Sequence, residues 1–181
     1  MIQNQEAIDL MRIVDDFAND ILNDINAKNN YLSSTLSSIT TASNSNLEID
    51  KKINELKKIN NKSKAQKIID VLKKEQERIK RDNITLNFEI DRVNVILKAL
   101  NDKYQEGEAL KEKIKESKNK PISAEESIFY DENIEGPLDR KMLELKQMIT
   151  VKMQTLTSIE IVQKNNKVVI QNIDNIKNVL L

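Results

Sequence analysis

Asp16, Asp20 and Asp24 recur at i, i+4 and i+8, with Asp15 beside them, so on a helix they line one acidic side. Carboxylate oxygens suit a hard cation, but a straight helix cannot wrap three of them around one ion. The spacing points instead to a solvated face or to partners for lysines. Lysines come in a run of their own. Lys51–Lys67 holds seven against a single acid, Glu55, and includes Lys57, Lys58, Lys62 and Lys64. Such a run is a solvated helix face or a surface for phosphates. Single-stranded nucleic acid would also need aromatic platforms, and none interleaves with these lysines. The third group is neutral. Gln163, Asn165 and Asn166 crowd one helical turn, and Gln76 and Asn83 stand a heptad apart. Amides transfer no protons, and buried ones must hydrogen-bond or cost stability. They read as cross-helix pairs or as a partner-recognition patch.

The missing residue types narrow the chemistry further. The 181-residue chain has no cysteine, histidine or tryptophan and only two glycines. That excludes a disulfide framework, a thiolate nucleophile, an imidazole base, a haem or zinc site and a Gly-rich phosphate loop. No acid–base pair can be singled out among the 29 acids. The residues therefore point away from an enzyme, and no cofactor, metal or small-molecule substrate is expected.

Net charge is zero but unevenly spread. Residues 1–50 hold two basic and eight acidic residues, 51–120 twenty and twelve, and 121–181 seven and nine. An acidic helix beside a basic one would balance these fields. No apolar run approaches the ~20 residues of a membrane span. Met1 to Ala7 lacks the basic and apolar regions of a secretion signal, so the expected location is the cytoplasm.

The elements that must position these groups are helices. Ile8, Met11, Val14, Ala18, Ile21 and Ile25 step by three or four, which predicts a first helix over 1–42. From Ala65 through Ile69, Leu72, Gln76, Ile79 and Asn83 to Tyr104 the steps run 4-3-4-3 without a slip, a heptad seam with coiled-coil character. The second helix is expected over 47–116, with a kink or short break near 60–63 where Asn60, Asn61 and Ser63 weaken it. Polar residues on such a seam fix register. Ser123 and Glu126 have capping-box spacing, predicting a short helix over 124–130. Residues 131–136 read as a connection, and Pro137 suits the first turn of a third long helix over 137–179. Leu138, Met142, Leu145, Ile149, Met153, Leu156, Ile159 and Val162 would form its stripe. The expected fold is all-α: a single domain, an elongated antiparallel bundle of three long helices with coiled-coil-like packing and one short connecting helix.

The stretch Leu138-Asp139-Arg140-Lys141-Met142-Leu143-Glu144-Leu145-Lys146, followed by Ile159-Glu160-Ile161-Val162-Gln163-Lys164-Asn165-Asn166-Lys167, resembles the toxic anion resistance (TelA) family. Tyr104-Gln105-Glu106-Gly107-Glu108 is similar to that family's Tyr…Gly-Glu stretch at the end of a long helix. The resemblance covers about 65–181. Members of the family typically continue in further helix beyond the position of Leu181. The resemblance implies a bacterial cytoplasmic protein tied to resistance against tellurite or other anion and envelope stress, with no catalytic residues to carry over. Lacking Cys and His, the chain has no thiol or imidazole to act on tellurite, which favours action through protein contacts.

The expected function is thus a non-enzymatic, helical stress-resistance protein. Its partner is a protein or a second copy, docked on helices, with Gln163, Asn165, Asn166, Met142 and Met153 as candidate contacts, because flexible Met suits adaptable docking. The alternatives are nucleic-acid or anionic-lipid binding through Lys57, Lys58, Lys62 and Lys64, or a helical effector or toxin component.

Overall fold

The computed structural model describes the backbone of residues 4–29 and 46–180, which is all-α, with no strand among the described residues. Helix α1 is Gln5–Asn29. Residues 30–42 of the first expected helix lie outside the described residues. Helix α2 spans 46–57, α3 Lys62–Lys118, α4 Ala124–Tyr130 and α5 Gly136–Leu180.

The expected helix over 47–116 is two helices, parted at 58–61, beside the weak point expected near 60–63. Lys58 N–H donates to the Glu55 carbonyl at 3.1 Å and Ile59 N–H to the Leu56 carbonyl at 3.3 Å, the tightened last turn that ends a helix. Asn61 then starts α3 as its cap. Its side-chain oxygen accepts from Ser63 N–H at 2.9 Å and its carbonyl from Ala65 N–H at 3.0 Å. The Ser123 hydroxyl likewise caps α4, accepting from Glu126 N–H at 3.1 Å.

Residues 131–136 are not a loop. Asp131–Glu135 form a π-helical turn joining α4 to α5, and the Gly136 N–H reaches back to the Asp131 carbonyl. Pro137 explains this: it has no N–H, and its ring would press on the carbonyl four residues back in an unbroken α-helix. The wider turn accommodates it. Gly136 fits because a Cβ there would lie 2.9 Å from the Asp131 carbonyl oxygen.

Packing divides the chain into two compact units, one combining the described residues up to 29 with 94–153, the other 46–93 with 154–180. Helices α3 and α5 each contribute to both.

In the first unit α1 buries Ala7, Leu10, Val14 and Phe17. This is not the stripe through Ile8, Met11 and Ala18, which are only half-buried. Both stripes have helical spacing and share Val14, and the buried one carries the larger Phe17. Against α3, α1 runs antiparallel: Glu6 meets Lys120 at 3.2 Å and Asp20 meets Lys103 at 3.6 Å. Lys103 also stands 5.7 Å above the Phe17 ring. Helix α3 and α5 also run antiparallel here. Lys111 pairs with Asp139 at 3.5 Å, Lys118 with Asp131 and Glu135 at 3.1 Å each, and Ser117 hydrogen-bonds the buried Tyr130 hydroxyl. Those two carboxylates raise the Lys118 pKa above 10.5, so its ammonium stays charged throughout the neutral range.

In the second unit Ile49, Ile53 and Leu56 of α2, Ile69, Leu72 and Ile79 of α3, and Val169 and Ile173 of α5 make one apolar cluster.

A seven-residue rhythm underlies both long helices. On α3, Leu72, Ile79, Leu86, Val93, Leu100, Gly107 and Ile114 are all buried. On α5 the same spacing buries Leu138, Leu145, Lys152, Ile159, Asn166 and Ile173. The expected stripe placed Met153 in this row. The structure leaves Met153 57% exposed and sinks its neighbour Lys152, 8% exposed, because the repeat falls on 152 whatever residue stands there.

Burial holds the Lys152 pKa below 10.5 by penalising its charged form. The folded state is thus penalised at neutral pH, and the penalty fades as pH climbs through the lowered pKa toward 10.5. Lys152→Leu is expected to raise Tm at pH 7; a gain of ~1 kcal/mol corresponds to about 2–4 °C at this chain length. Thermal melts followed by circular dichroism should show the gap between variant and wild type narrowing in alkali. A lower Tm for the variant would contradict the burial argument.

Candidate functional site

The amides singled out in the sequence meet in the second unit. Asn166, on the buried row of α5, is 1% exposed. Its Nδ2 donates to Asn83 Oδ1 at 2.7 Å, and its Oδ1 accepts from Asn46 Nδ2 at 2.9 Å. Gln163, one turn earlier, donates from Nε2 to the Asn83 carbonyl at 3.1 Å and to Asn87 Oδ1 at 2.7 Å. Asn83 Nδ2 returns a longer bond to the Gln163 carbonyl at 3.5 Å. Two turns of α3 away, Gln76 Nε2 donates to the Ile170 carbonyl at 3.0 Å and to Asp174 Oδ1 at 2.6 Å. Residue numbers fall on α5 as they rise on α3, so the two helices run antiparallel here and these bonds index their register.

The heptad seam brings Gln76 and Asn83 to α5, and the buried row of α5 supplies Asn166. Every donor and acceptor is neutral except the Asp174 carboxylate, so the arrangement has recognition and alignment chemistry rather than proton-transfer chemistry. Asn165, beside this relay, is exposed. Spacing could not have revealed Asn46, Asn87 and Asp174 as partners. Asn46 lies next to a Ser/Asn-rich stretch without period, and the other two sit beside the seam.

The remaining candidates scatter. Met142 is buried in the first unit against Gly107, where it fills core space. Exposed Met153 makes a contact of its own. Lys57, Lys58, Lys62 and Lys64 are all exposed around the α2–α3 break. A groove of about 700 Å³ opens beside them in the second unit. Ile53, Leu56 and Ile176 give its apolar side, and Asp50, Lys57 and Asn172 its polar side. On the acidic side of α1, Asp20 pairs with Lys103 of α3, not with the lysines at the α2–α3 break, and the Asp24 side chain lies outside the described residues. No cluster of three or more potential metal-ligating residues occurs among the described residues. No described helix is long and apolar enough to cross a membrane.

Long helices aligned by buried amides define a helical protein in which the most specific polar chemistry is turned inward. The sequence profile of the toxic anion resistance protein (TelA) family matches residues 8–179, and the chain belongs to that family. The match takes in α1, which the sequence resemblance over 65–181 did not reach. No curated protein and no solved structure matches the chain.

Proposed function

We propose that this protein serves resistance to toxic anions such as tellurite from the cytoplasm, as a non-enzymatic antiparallel helical bundle that works through protein–protein contacts. Family membership supports the resistance role. One structural observation carries the contact mechanism. Apolar side chains stand outward at helical spacing in the second unit: Ile84 and Phe88 on α3, Ile161 and Val168 on α5, each more than half exposed. Such side chains suit the apolar stripe of a partner helix. The buried amides cannot serve this purpose, because they are spent on each other and on backbone carbonyls.

The test is growth on tellurite of a strain lacking the gene, complemented with wild type or with Phe88→Ser/Ile161→Ser. The variant is expected to keep its helical signal and Tm, since both sites are exposed, and to lose protection. Protection equal to wild type would refute the contact mechanism. Turnover of tellurite by the purified protein would refute the non-enzymatic reading.

A further inference from the structure

Between Lys51 and Lys74 the chain carries nine lysines against two acids, Glu55 and Asp70. Eight of the nine are exposed, Lys52 being half-buried. None of the nine forms an ion pair among the described residues. The first unit is different. There Lys98, Lys103, Lys111, Lys118, Lys120 and Lys141 each hold a carboxylate within 3.6 Å. The ion pairs of the second unit lie farther along α3, at Arg78, Lys80 and Arg92, so the lysines of 51–74 stand without a paired carboxylate, while much of the positive charge of the first unit is neutralised locally.

The free lysines have a pattern. Lys64, Lys67, Val71 and Lys74 step 3-4-3 along α3 and so share one face, and Val71 is exposed among them. On α2, Leu47 and Lys51 share a face in the same way, and Leu47 is exposed. The first turn of α3 holds no acid to offset its positive dipole end. No aromatic residue occurs from Asn46 to Ile79, so there is no platform on which a base could stack. No arginine occurs from Lys51 to Lys74 either, so no bidentate fork to a base edge is available. Lysines interspersed with single aliphatic side chains instead suit a diffuse sheet of negative charge with an apolar layer beneath.

We propose that this lysine face of the second unit docks on an anionic lipid membrane surface. The docking is peripheral: ammonium groups approach lipid phosphates, and Leu47 and Val71 reach toward the headgroup boundary. It stands independently of the resistance role and of the protein contacts proposed above.

The full-length protein is tested by flotation with vesicles of phosphatidylcholine alone and with about a third phosphatidylglycerol, at low and raised salt. Binding is expected only to the anionic vesicles, and to weaken as salt shortens the Debye length below about 8 Å. Lys64→Gln/Lys67→Gln/Lys74→Gln is expected to weaken it roughly a hundred-fold, each lysine near the surface contributing about five-fold. Lys113→Gln/Lys115→Gln/Lys146→Gln removes the same charge from exposed sites of the first unit and is expected to stay within about two-fold of wild type. Circular dichroism checks that each variant is folded. Should the first triple variant lose its helical signal, Lys57→Gln/Lys58→Gln at the break carries the test. Failure to bind anionic vesicles at low salt, or an equal loss in both triple variants, would overturn the proposal. Tighter binding to duplex DNA than to vesicles would overturn it in favour of a nucleic-acid surface.

Discussion

Asn166→Ala is expected to lower the unfolding free energy by about 3 kcal/mol. The residue is almost wholly buried, and its amide is bonded on both sides, to Asn83 and to Asn46. Truncation removes two hydrogen bonds and leaves Asn83 Oδ1 and Asn46 Nδ2 unmatched in a half-buried setting, at about 1–3 kcal/mol for each unsatisfied group. The void left behind adds to that cost. Asn83→Ala/Asn166→Ala should lose less than the sum of the single variants, with a coupling of about 1 kcal/mol, because the second truncation removes a group the first had orphaned. Urea denaturation of the four proteins in the cycle measures this. Additive losses would mean that the two amides are not partners. Asn166→Leu tests the register role separately. Leucine at a buried heptad position is apolar and well packed, so the variant should keep more stability than Asn166→Ala yet hold the α3–α5 alignment less strictly.

Gly107→Leu should cost about 2–3 kcal/mol, at the upper end for overpacking. Gly107 occupies the buried heptad row of α3 where α1 and α5 approach it. A Cβ there would overlap Met142 Sδ and lie 3.0 Å from Phe17 Cζ. A larger side chain must displace Met142, itself buried, against an aromatic ring fixed on α1. Shortening the obstacle should compensate: Gly107→Leu/Met142→Ala should recover more than half of the loss. Equal instability of the single and double variants would place the strain elsewhere. A glycine inside a helix ordinarily costs about 1 kcal/mol relative to alanine. That cost is accepted here because it lets three helices come close.

These two positions also show where sequence reasoning succeeds. Ile69, Leu72, Gln76 and Ile79 were legible because this part of α3 follows the heptad seam; farther along, Glu89 and Ile96 are buried while Ile90 and Leu97 of the expected seam are half-buried. The same rule set Gln76 and Asn83 on the seam, where the first is buried and the second half-buried. Elsewhere the rule was present but composition overruled it. Met153 looks like a core residue and Lys152 does not, yet position decides burial, at a cost to the lysine's charged form. On α1 two apolar stripes cross at Val14, and only the packing against α3 selects Leu10 and Phe17 over Ile8 and Met11. The polar partners at Asn46 and Asn87 were not legible because neither belongs to a repeat; their roles arise from which helix lies opposite. Local chemistry fixed the caps at Asn61 and Ser123 well. It misjudged 131–136, where Gly and Pro signal a break that a widened helical turn can absorb.

That widened turn has a consequence for how this part of the chain tolerates change. A π turn holds one residue more than the α-helical path needs. Deleting a single residue from Asp131–Glu135 would rotate everything before it by about 100° and press the Pro137 ring on the carbonyl four residues back. Tyr130 would swing away from Ser117, and the Asp131 carboxylate away from Lys118. The extra residue acts as a phase-setting spacer between α4 and α5, so the length of this segment matters more than the identity of its exposed side chains.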